Sequence, residues 1–243
     1  MSSSPSADQE LHPTFFDLVG QMRAMRRLKP DPIPLALLRK VLDAAVKAPS
    51  GMNSQPWKFL VLSERDDVKW FADRYKESSE TLFGAAWRAL PDDDSPIVRQ
   101  LRALQYQAEH MHEYPVILIV CGLRDWPFGV PEEERLGLAP PDYGAIYPCM
   151  QNVLLACRAV GLGAAVTTMH QVFEEPLRER FCIPDEFGVV VSIPIGFPVG
   201  RFGPIRRIPA EEKTFFGRWG EAKPPGDSLG ISVLDSLPHA VKS

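Results

Sequence analysis

The stretch YPCMQNVLLACRAV, from Tyr147 to Val160, constrains this chain more than any other. On a helical projection its apolar residues fall around most of the circumference, and Gly161-Leu162-Gly163 follows as a glycine stop. Such a helix has almost no face to show to water, so it must be covered on nearly all sides. The chain has 243 residues, 45% of them hydrophobic and 24% charged, which is enough material for one core around such a helix.

The elements that could cover it are readable on both sides. Leu38, Val41, Leu42 and Ala45 recur at i, i+3, i+4 and i+7 after Pro34, which predicts an amphipathic helix over 34–47, stopped near Pro49. Trp57–Leu62 (WKFLVL) and Val116–Cys121 (VILIVC) are short β-branched or aromatic runs, each entered after a proline, and they predict buried strands. A strand over Ala164–Thr168, a helix around Glu174–Phe181 and a strand over Val189–Ile195, closed by Gly196, complete the series. The order is mixed rather than a strict βαβ alternation, so an α+β fold with helices flanking a sheet is expected. Residues 1–12 and 223–243, polar and rich in Ser and Pro, read as a flexible lead and a flexible or partner-wrapping tail around a domain over 13–222.

Several classes of function are disfavoured. A formal charge of −4 provides no field for nucleic acid or for an anionic membrane surface. No apolar run nears the roughly 20 residues of a membrane span, and MSSSPSADQE has no export pattern, so a cytoplasmic location is expected. Cys121, Cys149, Cys157 and Cys182 lack metal or redox spacing and are expected to be buried, inert thiols. His110 and His112, two apart, should face different sides of a helix, which argues against a metal site. Gly161-Leu162-Gly163 follows a helix and lacks a third glycine, unlike a dinucleotide fingerprint, and neither GxSxG nor HExxH occurs. The run Asp92-Asp93-Asp94 reads as a solvated loop before a helix.

Three segments remain. Arg23-Ala24-Met25-Arg26-Arg27-Leu28-Lys29 places four cations at the end of a short apolar segment, either complementing a helix terminus or forming an anion clamp of planar guanidiniums. Ala48-Pro49-Ser50-Gly51-Met52-Asn53-Ser54-Gln55-Pro56 lies between a helix and a strand, either as a turn held by Asn53 on its own backbone or as a cluster of donors for a heteroaromatic edge or polyol chain. Gly203-Pro204-Ile205-Arg206-Arg207-Ile208-Pro209 holds an arginine pair between prolines, whose weight comes from agreement with the first cluster.

In order and spacing, MRAMRRLKPDPIP, DAAVKAPSGMNSQPWKFLVL, YPCMQNVLLACRAVGLGAAVTTM and IPIGFPVGRFGPIRRIPAEE resemble the nitroreductase family of flavoproteins over roughly residues 14–220. The resemblance implies a mostly antiparallel central sheet flanked by helices, in an intertwined homodimer with FMN at the subunit interface. The Leu154, Leu155 and Ala156 region would then pack on its counterpart. It implies that Arg23, with Ala24 beside it, meets the FMN phosphate and that Arg26 lies by the pyrimidine near N1. Pro49, Ser50, Gly51, Met52, Asn53 and Gln55 would surround the ribityl chain and ring, with Thr167, Thr168 and Met169 by the reactive edge and a backbone N–H near Met169 on N5. Arg206 or Arg207 would close on the phosphate. Where the family usually carries Ser or Thr, Arg or Lys, and an aromatic, this chain has Ala24, Met22 and Leu28, so the fine geometry of the phosphate site is its own.

On this resemblance the flavin carries the chemistry, with NADH or NADPH as co-substrate and a small organic acceptor such as a nitroaromatic or quinone. The alternatives are a specialised flavin enzyme of the same fold, either a reductive dehalogenase or a flavin-fragmenting type, and a flavin-binding protein without turnover. Pocket-lining residues would come from Leu82–Met111, with Trp87, Tyr106 and His110. A chain whose arginine clusters are merely solvated, with no flavin, is the remaining reading.

Overall fold

The computed structural model describes residues 14–123 and 143–222, so the lead at 1–12 and the tail at 223–243 lie outside the described residues. The chain divides into two compact units at Pro204/Ile205.

In the first unit, α1 (Phe15–Gln21) starts from a capping box in which Thr14 and Asp17 satisfy each other's exposed groups. α2 (Leu35–Ala45) buries Leu38, Val41 and Ala45, the predicted stripe, with Pro34 one position outside the helix. The strands β1 (Trp57–Leu62), β2 (Val116–Leu123), β3 (Gly163–Ala164) and β4 (Phe187–Gly196) form a sheet of order β1-β2-β4-β3, antiparallel throughout. The α+β expectation of an antiparallel sheet flanked by helices is therefore met. β2 and β4 are almost wholly buried because both faces are covered. One face carries Leu118, Val120 and Ile193 against α2 and α5 (Tyr143–Ala159), while the other carries Ile117, Ile119 and Val189 against α3 (Arg65–Arg88) and α6 (Glu174–Arg180). α4 (Pro96–His110) runs back beside α3 after the Asp92–Asp94 loop, where Asp93 accepts from the Ser95 amide and Arg99 and Arg102 bond the loop carbonyls.

The apolar helix of the sequence is α5, which begins earlier than expected, at Tyr143. Its stop is a Schellman motif: Gly161 takes φ +79° while the Leu162 amide donates to the Cys157 carbonyl at 2.8 Å and the Gly161 amide to Arg158 at 3.3 Å. Within one chain, Ile146, Cys149, Val153 and Cys157 are buried against the sheet and α2, whereas Gln151, Leu155 and Ala156 stay half-buried and Tyr147 is 47% exposed.

Three expectations need correction. The strand over Ala164–Thr168 is interrupted: β3 has two residues, and Thr167 rejoins β4 only through an isolated bridge to Ser192. Between them Ala165 donates to the Pro194 carbonyl at 3.4 Å, and Pro194 has no N–H to return, so the ladder breaks there. The cations from Arg23 to Lys29 are not on a helix end, because α1 ends at Gln21 and the chain then runs extended. Met25 donates to Ala164 at 2.9 Å, Lys29 to Phe197 at 2.8 Å, and Leu28 bridges Pro198. The close approach needs Gly163, since a Cβ there would lie 2.8 Å from Leu28 Cδ2. Finally, Cys121, Cys149 and Cys157 are buried, their thiols pushed by burial to about 11, 11 and 12, but Cys182 is exposed.

The second unit, described over 205–222, has a 3₁₀ turn at Ala210–Lys213 and a tilted Phe215–Trp219 ring pair at 4.8 Å.

Candidate functional site

The extended Arg23–Lys29 segment places its side chains on different faces. Arg23 is exposed, with one Nη2 bond to the Arg201 carbonyl at 2.8 Å. It shares the lining of a small cavity with Arg158, a residue the sequence reading did not single out. Arg158 Nη2 donates to Gln21 Oε1 at 2.6 Å, the guanidinium lies 4.2 Å over the Phe202 ring, and its Nε is buried without a partner. Ala24 is exposed beside Arg23.

Arg26 turns inward. It is half-buried beside Tyr75 of α3 and Tyr114, and among the described residues it has no carboxylate within ion-pair distance. Burial lowers its pKa, the two tyrosines oppose that, and Arg26 keeps its charge because an arginine starts so high. The Tyr114 hydroxyl donates to the Arg26 carbonyl, fixing the backbone from the other side. A half-buried cation without a counter-ion favours an electron-rich ligand edge.

Tyr75 links this arginine to the Thr167–Met169 turn. The Thr167 hydroxyl donates to Tyr75 Oη at 3.4 Å and accepts from the Met169 amide at 3.3 Å. Thr167 is half-buried, Thr168 is exposed, and the Met169 side chain packs on the core. Behind the turn, Thr167 and Ser192 exchange backbone bonds of 2.9 and 3.0 Å, Ser192 Oγ lies 3.0 Å from His170 Nδ1, and His170 Nε2 lies 2.9 Å from the Val189 carbonyl. A carbonyl only accepts, so Nε2 carries the proton. Burial lowers the His170 pKa, which leaves Nδ1 as an acceptor for the Ser192 hydroxyl.

The loop at Pro49–Gln55 is built differently. Met52, Asn53 and Gln55 take φ of 51°, 56° and 49°, a run that side chains other than glycine rarely adopt. The segment does turn, over Gly51–Asn53, but among the described residues no hydrogen bond of the Asn53 side chain holds it. The staple is Ser50, whose Oγ accepts the Gln55 amide at 3.1 Å, while the Asn53 amide donates to the Ser50 carbonyl at 3.1 Å. Pro49, Gly51, Met52, Asn53 and Gln55 are exposed, Met52 to 90%.

One chain does not bring this loop to Arg26. The loop feeds Trp57, which pairs with Gly122, whereas the Arg26 segment lies by Ala164, which pairs with Ile195 beside Val116. Val116 and Gly122 stand toward opposite ends of β2, about 20 Å apart at the rise of a strand. Arg206 and Arg207 belong to the second unit, where both are exposed and Arg207 Nη1 donates to the Arg206 carbonyl at 2.8 Å.

In the α3–α4 region, the Tyr106 and His110 rings stack at 4.1 Å with Arg27 5.1 Å over Tyr106. His110 and His112 do not face apart: both reach Glu113, at 3.0 and 3.8 Å. Among the described residues no group of three or more His, Cys, Asp or Glu is placed to hold a metal ion, and no helix is long and apolar enough to cross a membrane.

Residues 19–197 match the model of the nitroreductase family. The chain belongs to that family. Its relatives include an NADH dehydrogenase of Thermus thermophilus, 29% identical across 78% of this chain and 89% of the relative. An iodotyrosine deiodinase of Thermotoga neapolitana is 28% identical across 75% of this chain and 88% of the relative. In fold, this nitroreductase-family chain is similar to oxidised iodotyrosine deiodinase bound to FMN and 3-iodo-L-tyrosine, with a TM-score of 0.63 at 22% identity, covering 85% of this chain and 99% of that one.

Tyr75, Tyr114, His170 and Ser192 were missed by the sequence reading. A signal for Tyr75 exists: Val68, Phe71, Ala72, Tyr75 and Ser79 form one buried stripe of α3, and the polar members of such a stripe ask for partners.

Proposed function

We propose that this protein is an FMN-dependent oxidoreductase that takes a hydride from NADH or NADPH and passes it to a small organic acceptor such as a nitroaromatic or quinone. The observation that carries the reading is Arg26, half-buried, without a carboxylate partner among the described residues and interacting with Tyr75, whose hydroxyl accepts a bond from Thr167 of the Thr167–Met169 turn. FMN, when bound, supplies the hydride-transfer chemistry. This chain would hold it with Arg23 on the phosphate, Arg26 by the pyrimidine edge and the Thr168–Met169 backbone by the reactive edge. A fixed cation in a partly dry wall stabilises electron density that arrives beside it without reorganising. The long Met169 amide bond to Thr167 is weak enough to be exchanged for a ligand acceptor.

The Ser50–Gln55 loop belongs in the same proposal through a second copy of the chain. Support comes from the separation of loop and Arg26 along β2 and from the half-buried band of α5 at Gln151, Leu155 and Ala156. The assignment of Arg206 and Arg207 to the phosphate rests on the resemblance.

The test is the visible spectrum of the purified protein before and after anaerobic NADH or NADPH, with the released chromophore identified. Yellow protein that releases FMN and bleaches is expected, with parallel initial-rate lines for nicotinamide and acceptor. Colour without bleaching by either nicotinamide indicates flavin binding without turnover, and a colourless protein that takes up no FMN ends the proposal. The deiodinases among the relatives favour a second reading, reductive dehalogenation of an aromatic acceptor, which iodide release from 3-iodotyrosine by the reduced protein would reveal.

A further inference from the structure

Tyr75 is 1% exposed, within an aromatic cluster where it stacks on Phe71 at 6.3 Å. A phenylalanine would fill that space equally, so packing does not account for the hydroxyl. A buried hydroxyl is costly unless bonded, and a core tyrosine ordinarily finds a partner. Here the hydroxyl accepts from Thr167 Oγ1 at 3.4 Å and interacts electrostatically with Arg26.

We propose that Tyr75 is a positioning residue, which ties the Thr167–Met169 turn to Arg26 from within the core so that the two walls of the site hold one spacing. The consequence for a ligand rests on the flavin reading. Thr167 Oγ1 joins the Met169 amide and Tyr75 Oη. When a ligand acceptor draws the amide away, Thr167 keeps its bond to Tyr75 and the turn keeps its place. The Thr167 backbone is locked independently by Ser192, so the fold does not need the Tyr75 hydroxyl. Its loss should be felt at the site and little elsewhere.

The experiment compares wild type, Tyr75→Phe, Thr167→Val and the double variant as full-length, FMN-loaded protein. It reads the FMN dissociation constant by fluorescence quenching, the flavin midpoint potential by reductive titration, and the melting temperature. We expect Tyr75→Phe to melt close to wild type yet bind FMN about three- to tenfold more weakly, as loss of one hydrogen bond implies. The potential should move negative, since the cation and donors that favour the reduced form are less firmly held. Thr167→Val should reproduce both shifts, and the double variant should add little to either single one. Should Tyr75→Phe fail to fold, Thr167→Val against wild type carries the same two readouts. Wild type that binds FMN with an unchanged constant and potential in the variants, or effects that add fully, overturns the positioning role alone. Wild type that takes up no FMN ends both readings.

Discussion

The Thr167–Met169 turn and the Ser50–Gln55 loop offer hydrogen-bonding groups of similar kind, yet they keep their shapes by opposite means. The turn is backed by the core: Ser192 and His170 behind it are fully buried, and its hydroxyl is tied to Tyr75 of α3. The loop is exposed and is held by its own short bonds while three residues take left-handed φ values. Backbone strain of about 1–3 kcal/mol per such residue persists only where surroundings over-determine it. Among the described residues little surrounds the loop, whereas the turn is backed by buried groups of its own chain.

The largest expected effect separates the two regions. Arg26→Ala should weaken FMN binding about ten- to a hundredfold, the usual loss for a hydrogen bond to a charged group. Asn53→Pro should also abolish tight binding, because proline cannot take φ of 56° or donate to Ser50. Mixing the two unfolded variants and refolding them together should restore part of the binding if each site draws the two regions from different copies. Absence of rescue, with mixed oligomers demonstrated by differential tagging, would place both regions in one chain and break the comparison.

Next comes Gly163→Ala, whose Cβ would stand 2.8 Å from Leu28 and 3.0 Å from Met25. It should cost about 1–3 kcal/mol by overpacking, read as a lower melting temperature. FMN affinity should fall with it, because the same segment carries Arg23 and Arg26. A smaller effect depends on pH. Burial depresses His170 below its ordinary value of 6.5, so the unfolded chain takes up a proton that the folded chain refuses. Stability from this group is complete above that value and declines as pH falls through it, by at most about 1.4 kcal/mol per pH unit. Urea midpoints measured across that range should fall toward acid in the wild type and flatten at this step in His170→Gln. Smallest is Met52→Gly: with the side chain 90% exposed and φ at 51°, relief of strain should raise stability by up to about 1 kcal/mol in chemical denaturation. A loss there would mean that the loop is not strained.

Much of the frame was legible in the residues. α2, β1 and the core of β2 fall where periodicity and prolines put them, and the glycine stop after α5 operates as its sequence suggests. These features are set by neighbours within a few positions. The site was legible as residue types: arginines, a Ser/Gly/Asn loop and a Thr-Thr-Met run. Its arrangement was not. The Tyr75–Thr167 bond spans 92 positions, and the Tyr114 bond to the Arg26 carbonyl spans 88. Nor does a local window show that Pro194 would leave Ala165 without a returning donor and so cut the strand before Thr167.

By itself, then, the sequence determined the apolar helix that demands cover, the strands that supply it and the chemical character of the three segments, because caps, periodicity and backbone restrictions act over a few residues. Only the tertiary structure decided that Arg26 turns inward beside Tyr75 and Tyr114, that Arg158 joins Arg23, and that the Ser50–Gln55 loop lies toward the other end of the sheet. Those outcomes depend on which strand lies beside which and in what register, and register is chosen by the burial of whole faces at once.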